Sequence, residues 1–339
     1  MNQKKETIIA IVGLGYWGPN LLRNFSRLSG CKVKYACDLN QALLDRHSKA
    51  YPQTIFTDSY EKLLGDEEVE AIVIATTIPT HYTLTKQALN AGKHVLVEKP
   101  MTANSKEAEE LALLAKEKNL LCMVDHTFVY TGAVSKIKEL ITTKELGKVY
   151  YFDSERINLG LIQEHQNVIW DLAPHDISIL LHLFPGAKPV SVVATGASFV
   201  NNKVEEIAHI AICFDSGLIA NITVSWLSPV KIRKIIIGGS DKMVVYDDVE
   251  PSEKVKIYDK GVSLNPNEVT PFKPLYRSGD IFIPKLDTTE TLEKEALHFL
   301  RCINGEEKPL VSAEDGAMVV RILEACDKSI KERKEISLS

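Results

Sequence analysis

Three stretches of this chain hold residue types at spacings suited to chemistry. Glu98-Lys99-Pro100 directly follows the apolar run His94-Val95-Leu96-Val97, so two charges stand at the carboxyl end of a short strand. A cation there would stabilise negative charge developing on an oxygen, whereas an ordinary solvated charge pair would do nothing. The proline rigidifies the turn and admits a cis peptide. In Trp170-Asp171-Leu172-Ala173-Pro174-His175-Asp176, Asp171 and His175 are four apart and share one face of a helix. Imidazole titrates near neutrality and suits a general base, and a neighbouring carboxylate would orient it and favour its protonated form. Pro174 is tolerated only in a helix's first turn, which sets the expected start near Leu172 or Ala173. The plainer alternative is an N-capping Asp171 with a partly exposed His175.

The third stretch is Gly13-Leu14-Gly15-Tyr16-Trp17-Gly18, which follows the β-branched run Ile8-Ile9-Ala10-Ile11-Val12 and opens a helical segment. Strand, G-x-G-x-x-G and helix in that order form a dinucleotide-binding fingerprint. Gly13 makes the tight turn, Gly15 lets backbone approach a pyrophosphate, and Gly18 lets helix pack on strand. The helix start offers free N–H groups and a positive dipole end, with Pro19 harmless in its first turn. Tyr16 and Trp17 belong to the same cofactor loop. Val33 to Cys37 reads as the next strand and ends in Asp38, about 20 residues past the last glycine, where a carboxylate binds a ribose 2′-hydroxyl. Capping of the following helix is its alternative role. Leu39-Asn40-Gln41 brings no arginine for a 2′-phosphate, so NAD is expected rather than NADP.

These residues need a framework. Up to about residue 125, apolar strands (8–12, 33–37, 54–56, 69–75, 94–97 and 120–124) alternate with helical stretches (40–50, 59–65, 80–91 and 104–118). That pattern predicts a parallel, doubly wound sheet covered on both faces. Ligands bind such sheets at the carboxyl ends of the strands. Thr76, Thr77, Pro79 and His81 after the fourth strand are therefore expected beside the cofactor, together with Glu98 and Lys99 after the fifth. Thr80 reads equally as an N-cap. Past residue 125 come helices at 131–142 and 170–183 and a strand at 148–157. Alternating runs at 190–200, 205–214, 217–226, 231–237 and 242–247 follow without helices between them. They predict an α+β domain with a largely antiparallel, open-faced sheet. Residues 250–287 read as an irregular excursion, and helices at 288–304 and 313–331 close the chain. The expected division is 1–125 and 126–339.

With 339 residues, 45% of them hydrophobic and 25% charged, the chain has room for two soluble domains. A net charge of −5 argues against nucleic acid or an anionic membrane as the main partner. The six cysteines (Cys31, Cys37, Cys122, Cys213, Cys302 and Cys326) show no C-x-x-C pair or ligand spacing and read as reduced. No metal site is expected, and Glu164-His165 read as surface groups. The N-terminus leads into the first strand without a signal-peptide core, and no apolar run approaches membrane-spanning length, so a cytoplasmic protein is expected.

Taken together, the glycine motif, Ala75 to His81, Glu98-Lys99-Pro100 and Asp171 to His175 resemble the glucose–fructose oxidoreductase/inositol dehydrogenase (Gfo/Idh/MocA) family over nearly the whole chain. The resemblance implies NAD(P)-dependent oxidation of sugar alcohols. Lys99 and His175 would contact the reacting hydroxyl, and Asp171 would help hold substrate and histidine. Ala173 and Ser178 stand where the family usually has glycine and a further carboxylate or amide. The segments 15–25 and 170–176 resemble a branch associated with nucleotide sugars, implying a UDP-N-acetylhexosamine or its uronic acid oxidised at position 3. Free-sugar or inositol dehydrogenase is the alternative, and a sensor or co-regulator that keeps NAD without turnover is the alternative of another class. A diphosphate needs cations or N–H donors, for which Arg156, Asn158, Lys231 and Arg233 are candidates, with Tyr130 packing on a ring. The uncovered face of the second sheet implies a homodimer or homotetramer.

Overall fold

In a computed structural model, which describes residues 6–164, 166–200, 203–264 and 274–338, strand and helix alternate from the start. The order is β1 (Thr7–Val12), α1 (Gly18–Arg27), β2 (Cys31–Cys37), α2 (Gln41–Ser48), β3 (Ile55–Thr57), α3 (Tyr60–Leu64), β4 (Ala71–Ile74), α4 (Ile78–Asn90), β5 (His94–Glu98), α5 (Ser105–Glu117) and β6 (Cys122–Asp125). A 3-10 turn, Thr127–Tyr130, follows. All six strands pair in parallel in the order β3-β2-β1-β4-β5-β6. Every residue of β4 is buried, as an inner parallel strand covered on both faces requires. Strand order reverses between β1 and β4, so the chain leaves these neighbours toward opposite faces and opens a crevice at their carboxyl ends.

The chain continues through α6 (Gly132–Thr142), β7 (Val149–Leu159), α7 (Val168–Leu183), β8 (Pro189–Ala197), β9 (Ile207–Phe214), β10 (Ile219–Ser225), β11 (Leu227–Gly239), β12 (Met243–Asp247), β13 (Val255–Leu264), β14 (Pro274–Phe282), α8 (Thr291–Ile303), α9 (Ala313–Glu332) and β15 (Ile336–Ser337). Nine strands form one sheet in the order β14-β13-β12-β11-β7-β10-β9-β8-β15. It is antiparallel except for β7 beside β10, where Ser154 lies opposite Ile222. Phe152, Ile222, Ile210, Val192, Ile235 and Ile237 are buried on one face, which α7 covers across β7, β9 and β10. The other face presents Asp153, Glu155, Asn221, Thr223, His209 and Lys234, beside partly exposed Ile236, Val193 and Ile219.

The structure corrects one expectation. The stretch 250–287 is no loop: β13 and β14 form a hairpin with Ile257 opposite Phe282 and Val262 opposite Tyr276. Val255 and Ile257 alternate with Lys256 and Tyr258 in the manner of a half-buried strand, but the Pro, Asp and Gly residues of a largely exposed β14 masked the signal. Residues 265–273 of that stretch lie outside the described residues. The described residues fall into two compact units, one within Met1–Tyr130 and Thr289–Arg321, the other within Thr131–Thr288 and Ile322–Ser339. Helix α8 belongs to the first unit because Phe299 packs edge-on against Phe25 of α1 with ring centroids 6.2 Å apart. Glu290 before it pairs with Arg23 and accepts from Asn24 Nδ2 at 3.1 Å. Amphipathic spacing shows that such a helix must be covered, but not by which partner.

Candidate active site

In the first unit the glycine turn sits at the switch point between β1 and β4. Gly13 adopts φ +92°, and a Cβ there would lie 2.4 Å from the Ala75 carbonyl oxygen and 2.9 Å from the Thr76 nitrogen. Gly18 is equally constrained, since its Cβ would meet the Gly13 carbonyl oxygen at 1.8 Å. The helix start thus packs against the turn itself more closely than against the strand. Gly15 differs, because a Cβ there would meet nothing within 4 Å. Its bareness serves no packing within the chain and leaves backbone open to an incoming group. Helix α1 begins behind it with Trp17 at the N-cap and no side-chain cap on its first N–H groups, as a site for a pyrophosphate requires.

Asp38 stands at the end of β2. Its Oδ2 accepts from Leu14 N at 2.7 Å and its Oδ1 from Asn40 N at 2.8 Å. It does not cap α2: Asn40 does, accepting from Ala42 N at 3.0 Å. The carboxylate therefore braces the glycine loop and remains partly exposed. Past β4, the N-cap of α4 is Thr77 rather than Thr80, and Pro79 occupies the first turn. Thr80 Oγ1 bonds Thr77 O at 2.7 Å and Thr76 Oγ1 at 2.7 Å. His81, grouped with the cofactor residues on sequence grounds, is buried. Its Nδ1 lies 3.0 Å from Pro100 O and its Nε2 3.2 Å from Thr76 O. It ties the end of β4 to the turn after β5, and burial lowers its pKa.

At the end of β5 the Lys99–Pro100 peptide is cis. Lys99 is partly exposed, and its main-chain N–H donates to Glu98 Oε2 at 3.0 Å. Glu98 also faces Asp125 across the β5–β6 ladder. Asp125 escaped the sequence reading although it ends a strand, as Glu98 does. Trp17 Nε1 donates to Asp125 Oδ2 at 3.2 Å and Thr127 Oγ1 donates to its Oδ1 at 2.5 Å. Buried Glu295 of α8 lies near the same carboxyl. Burial first, then Asp125, raises the Glu98 and Glu295 carboxyls well above the usual range. Adjacent His126 is buried, and its pKa falls to about 4 by desolvation. Three segments of the cofactor side, the glycine loop and the ends of β5 and β6, are thus tied through Asp125.

In the second unit α7 starts earlier than expected. Asn167 caps it, accepting from Ile169 N at 3.1 Å and Trp170 N at 3.2 Å, so Asp171 is no cap and lies in the first turn. Pro174 falls inside the helix, where its missing N–H removes the bond to the Trp170 carbonyl. Asp171 and His175 are both partly exposed on the same helical face. The Trp226 indole donates to Asp171 Oδ2 at 3.0 Å. A single sequence gives no hint of that contact, since 55 residues separate the partners.

Several proposed substrate contacts are placed elsewhere. Arg156 is buried and donates to Asp176 through Nε at 2.6 Å and Nη2 at 3.2 Å, so its guanidinium serves a buried ion pair beneath α7. Tyr130 is core, its ring 5.5 Å from that of His298. Arg233 pairs with Asp248 at 3.4 Å. Asn158 is partly exposed and Lys231 exposed. Tyr16 is almost fully exposed, stacked on Trp17 at 6.4 Å. His165 of the pair Glu164-His165 lies outside the described residues. Among the described residues no group of His, Cys, Asp and Glu could hold a metal, and no helix is long and apolar enough to cross a membrane.

Comparison with known proteins decides the assignment. Residues 8–126 match the family model for an oxidoreductase family with an NAD-binding Rossmann fold, and residues 138–338 match that family's C-terminal alpha/beta domain. The chain belongs to the Gfo/Idh/MocA oxidoreductase family. It is an oxidoreductase whose N-terminal Rossmann domain binds NAD. The UDP-N-acetylglucosamine 3-dehydrogenase of Acidithiobacillus ferrooxidans is 27% identical over 76% of this chain and 78% of its own. A scyllo-inositol 2-dehydrogenase (NADP(+)) of Bacillus subtilis is 26% identical over 85% of this chain and 84% of its own. A solved structure of a protein from Magnetospirillum magnetotacticum superposes with a TM-score of 0.81 at 26% identity, covering 95% of this chain and all of its own.

Proposed function

We propose that this family member transfers a hydride between a secondary ring alcohol of a sugar and NAD, with position 3 of a UDP-N-acetylhexosamine or its uronic acid as the favoured substrate. The observation that carries the reading is the open glycine turn at the switch point, with Gly15 bare toward open space and Asp38 at the end of β2. Gly13, Gly15 and Gly18 would lie under the pyrophosphate, Asp38 at the ribose, and Tyr16, Trp17, Thr76, Thr77 and Glu98 around the cofactor. When bound, NAD accepts or returns the hydride. The chain's own residues handle the proton. An unassisted hydroxyl is too weak an acid at neutral pH, so Lys99 as a cation would lower its pKa by stabilising the alkoxide. His175 would take the proton, and Asp171 would orient the imidazole and stabilise its charged form. Exchange of the proton-carrying roles of Lys99 and His175 is equally compatible with the residues.

The nucleotide-sugar choice is supported by the Acidithiobacillus relative and by exposed Lys231 and partly exposed Asn158, which remain as diphosphate candidates after the burial of Arg156. Inositol dehydrogenases of comparable identity support a free polyol instead. A NADH-absorbance and thermal-shift screen separates the two, using UDP-N-acetylglucosamine, its uronic acid, free hexoses and myo-inositol. A response to free polyols with none to a nucleotide sugar selects the polyol reading. Bound cofactor that turns over with none of them selects a sensor. The reading also includes a homodimer or homotetramer in the cytoplasm. The partly exposed face of the second sheet, with Val193, Ile219 and Ile236, would bury against a second copy.

A further inference from the structure

All three tryptophans of the chain donate their indole N–H to a carboxylate: Trp17 to Asp125, Trp170 to Asp327 and Trp226 to Asp171. The third differs in what it holds, because Asp171 precedes His175 by one helical turn. We infer that Trp226 is a positioning residue for the reaction, fixing the plane of the Asp171 carboxylate. The inference rests on the role given to Asp171 above and extends it to a residue with no chemistry of its own.

Geometry carries the argument. Trp226 bridges the end of β10 and the start of β11 and is 1% exposed. Its main-chain N–H donates to Glu206 O at 2.9 Å, and its carbonyl accepts from Gly160 N at 2.9 Å. The indole is wedged as well. A Cβ on Gly160 would lie 2.5 Å from Trp226 Cδ1 and 3.1 Å from Cγ, so the ring lies flush against the bare α-carbon at the end of β7. Backbone and ring are therefore both fixed before the N–H reaches Asp171 Oδ2 at 3.0 Å. A buried indole N–H requires an acceptor, and the Asp171 carboxylate, taking that bond on Oδ2, is held in one plane by it. Each satisfies the other.

The same contact explains Gly160. No positive φ requires a glycine at that position, yet any side chain would displace the indole. Gly160 and Trp226 thus form a pair, one making room for the other, 66 residues apart in the chain.

The test uses the full-length protein and two readouts. The first needs no turnover. Indole N–H resonances are recorded on 15N-labelled protein against pH, with Trp226 assigned from Trp226→Phe. The Trp226 resonance should follow a titration curve that vanishes in Asp171→Asn, while those of Trp17 and Trp170 keep their behaviour. The second is kcat/KM for UDP-N-acetylglucosamine against pH. Trp226→Phe should lower it about tenfold, the scale of one lost charge-assisted hydrogen bond, move the acidic limb to lower pH because a loosened Asp171 stabilises the imidazolium less, and leave NAD affinity unchanged. Gly160→Ala should act in the same direction and serves if Trp226→Phe fails to fold. If Asp171→Asn lowers kcat/KM while both Trp226→Phe and Gly160→Ala leave it and its pH profile unchanged, this inference is overturned and the role of Asp171 stands. If Asp171→Asn itself has no effect, the role of Asp171 falls and this inference falls with it. A Trp226 resonance indifferent both to pH and to Asp171→Asn overturns the inference irrespective of any activity.

Discussion

Asp38→Ala separates a job that the structure shows for one carboxylate from a job proposed for it. In the structure Oδ2 holds the Leu14 N–H at 2.7 Å and Oδ1 the Asn40 N–H at 2.8 Å. Leu14 is fully buried, so removing its acceptor leaves a shielded donor unpaired, which costs about 1–3 kcal/mol. That loss loosens the glycine loop and weakens any dinucleotide equally. The proposed job, at the ribose, would be specific to NAD. Hydrogen bonds from ribose hydroxyls to an anionic acceptor contribute about 1.5–3 kcal/mol, roughly 10- to 100-fold in Kd. NADP gains nothing from the carboxylate, which would repel its 2′-phosphate. Fluorescence titration of wild type, Asp38→Ala and Asp38→Asn with NADH and NADPH therefore reads the difference between the cofactors. Asp38→Ala should lower the preference for NADH by roughly 10- to 100-fold, and Asp38→Asn, which can still accept from Leu14, should lose less overall affinity. An equal loss for both cofactors would refute the ribose role and reduce Asp38 to a brace for the loop.

The jobs of Gly13 and Gly15 in the glycine motif separate in the same way. Gly15→Ala should leave thermal stability within about 0.5 kcal/mol of wild type, because the new methyl meets nothing, yet weaken NAD binding. Gly13→Ala should destabilise the first unit outright, since φ +92° and the Ala75 carbonyl both oppose a side chain; comparing melting curves with cofactor titrations checks both. His175→Ala and Lys99→Ala should each lower kcat by about 10²- to 10⁴-fold with little change in NAD affinity, as steady-state kinetics beside equilibrium binding would show. The buried carboxyl of Glu295 lies near Asp125, Glu98 and Thr127, and its folded pKa is raised by burial and by Asp125. Its stabilising contribution is complete at low pH and is lost as pH rises through the folded value. Glu295→Gln, which mimics the protonated acid, should therefore gain stability over wild type as pH increases, by about 1–3 kcal/mol once the wild-type carboxyl would ionise. A difference that stays constant or reverses with pH would show that the carboxyl is not held protonated.

Local chemistry made much of this molecule legible. β1, the glycine turn and Asp38 announce themselves because each solves a problem within a few residues of chain: burial, close approach, or a charge at a strand end. The antiparallel runs after residue 189 were readable from alternation alone. What stayed hidden required partners far away in sequence. Arg156 looked like an anion binder because nothing local reveals Asp176 above it, and Tyr130 looked like a stacking surface because His298 lies 168 residues away. The packing of α8 on α1 is hidden for the same reason, its apolar stripe being equally satisfied by any complementary face. The β13–β14 hairpin failed differently: an exposed edge strand carries little hydrophobic signal, and its turn-forming residues outweighed the alternation in its neighbour. Asp125 was within reach, since it ends a strand at the same level as Glu98.

The central claim is that Lys99 and His175 move the proton of a sugar hydroxyl while NAD exchanges the hydride. The most direct test adds UDP-N-acetylglucosamine or its uronic acid to NAD-loaded protein and follows NADH absorbance in wild type, Lys99→Ala and His175→Ala. The account predicts NADH formation in wild type and its near-complete loss in both variants, with NAD still bound. Undiminished NADH formation in either variant would contradict the role given to that residue, and a cofactor that stays oxidised with every nucleotide sugar, hexose and inositol tried would contradict the enzyme itself.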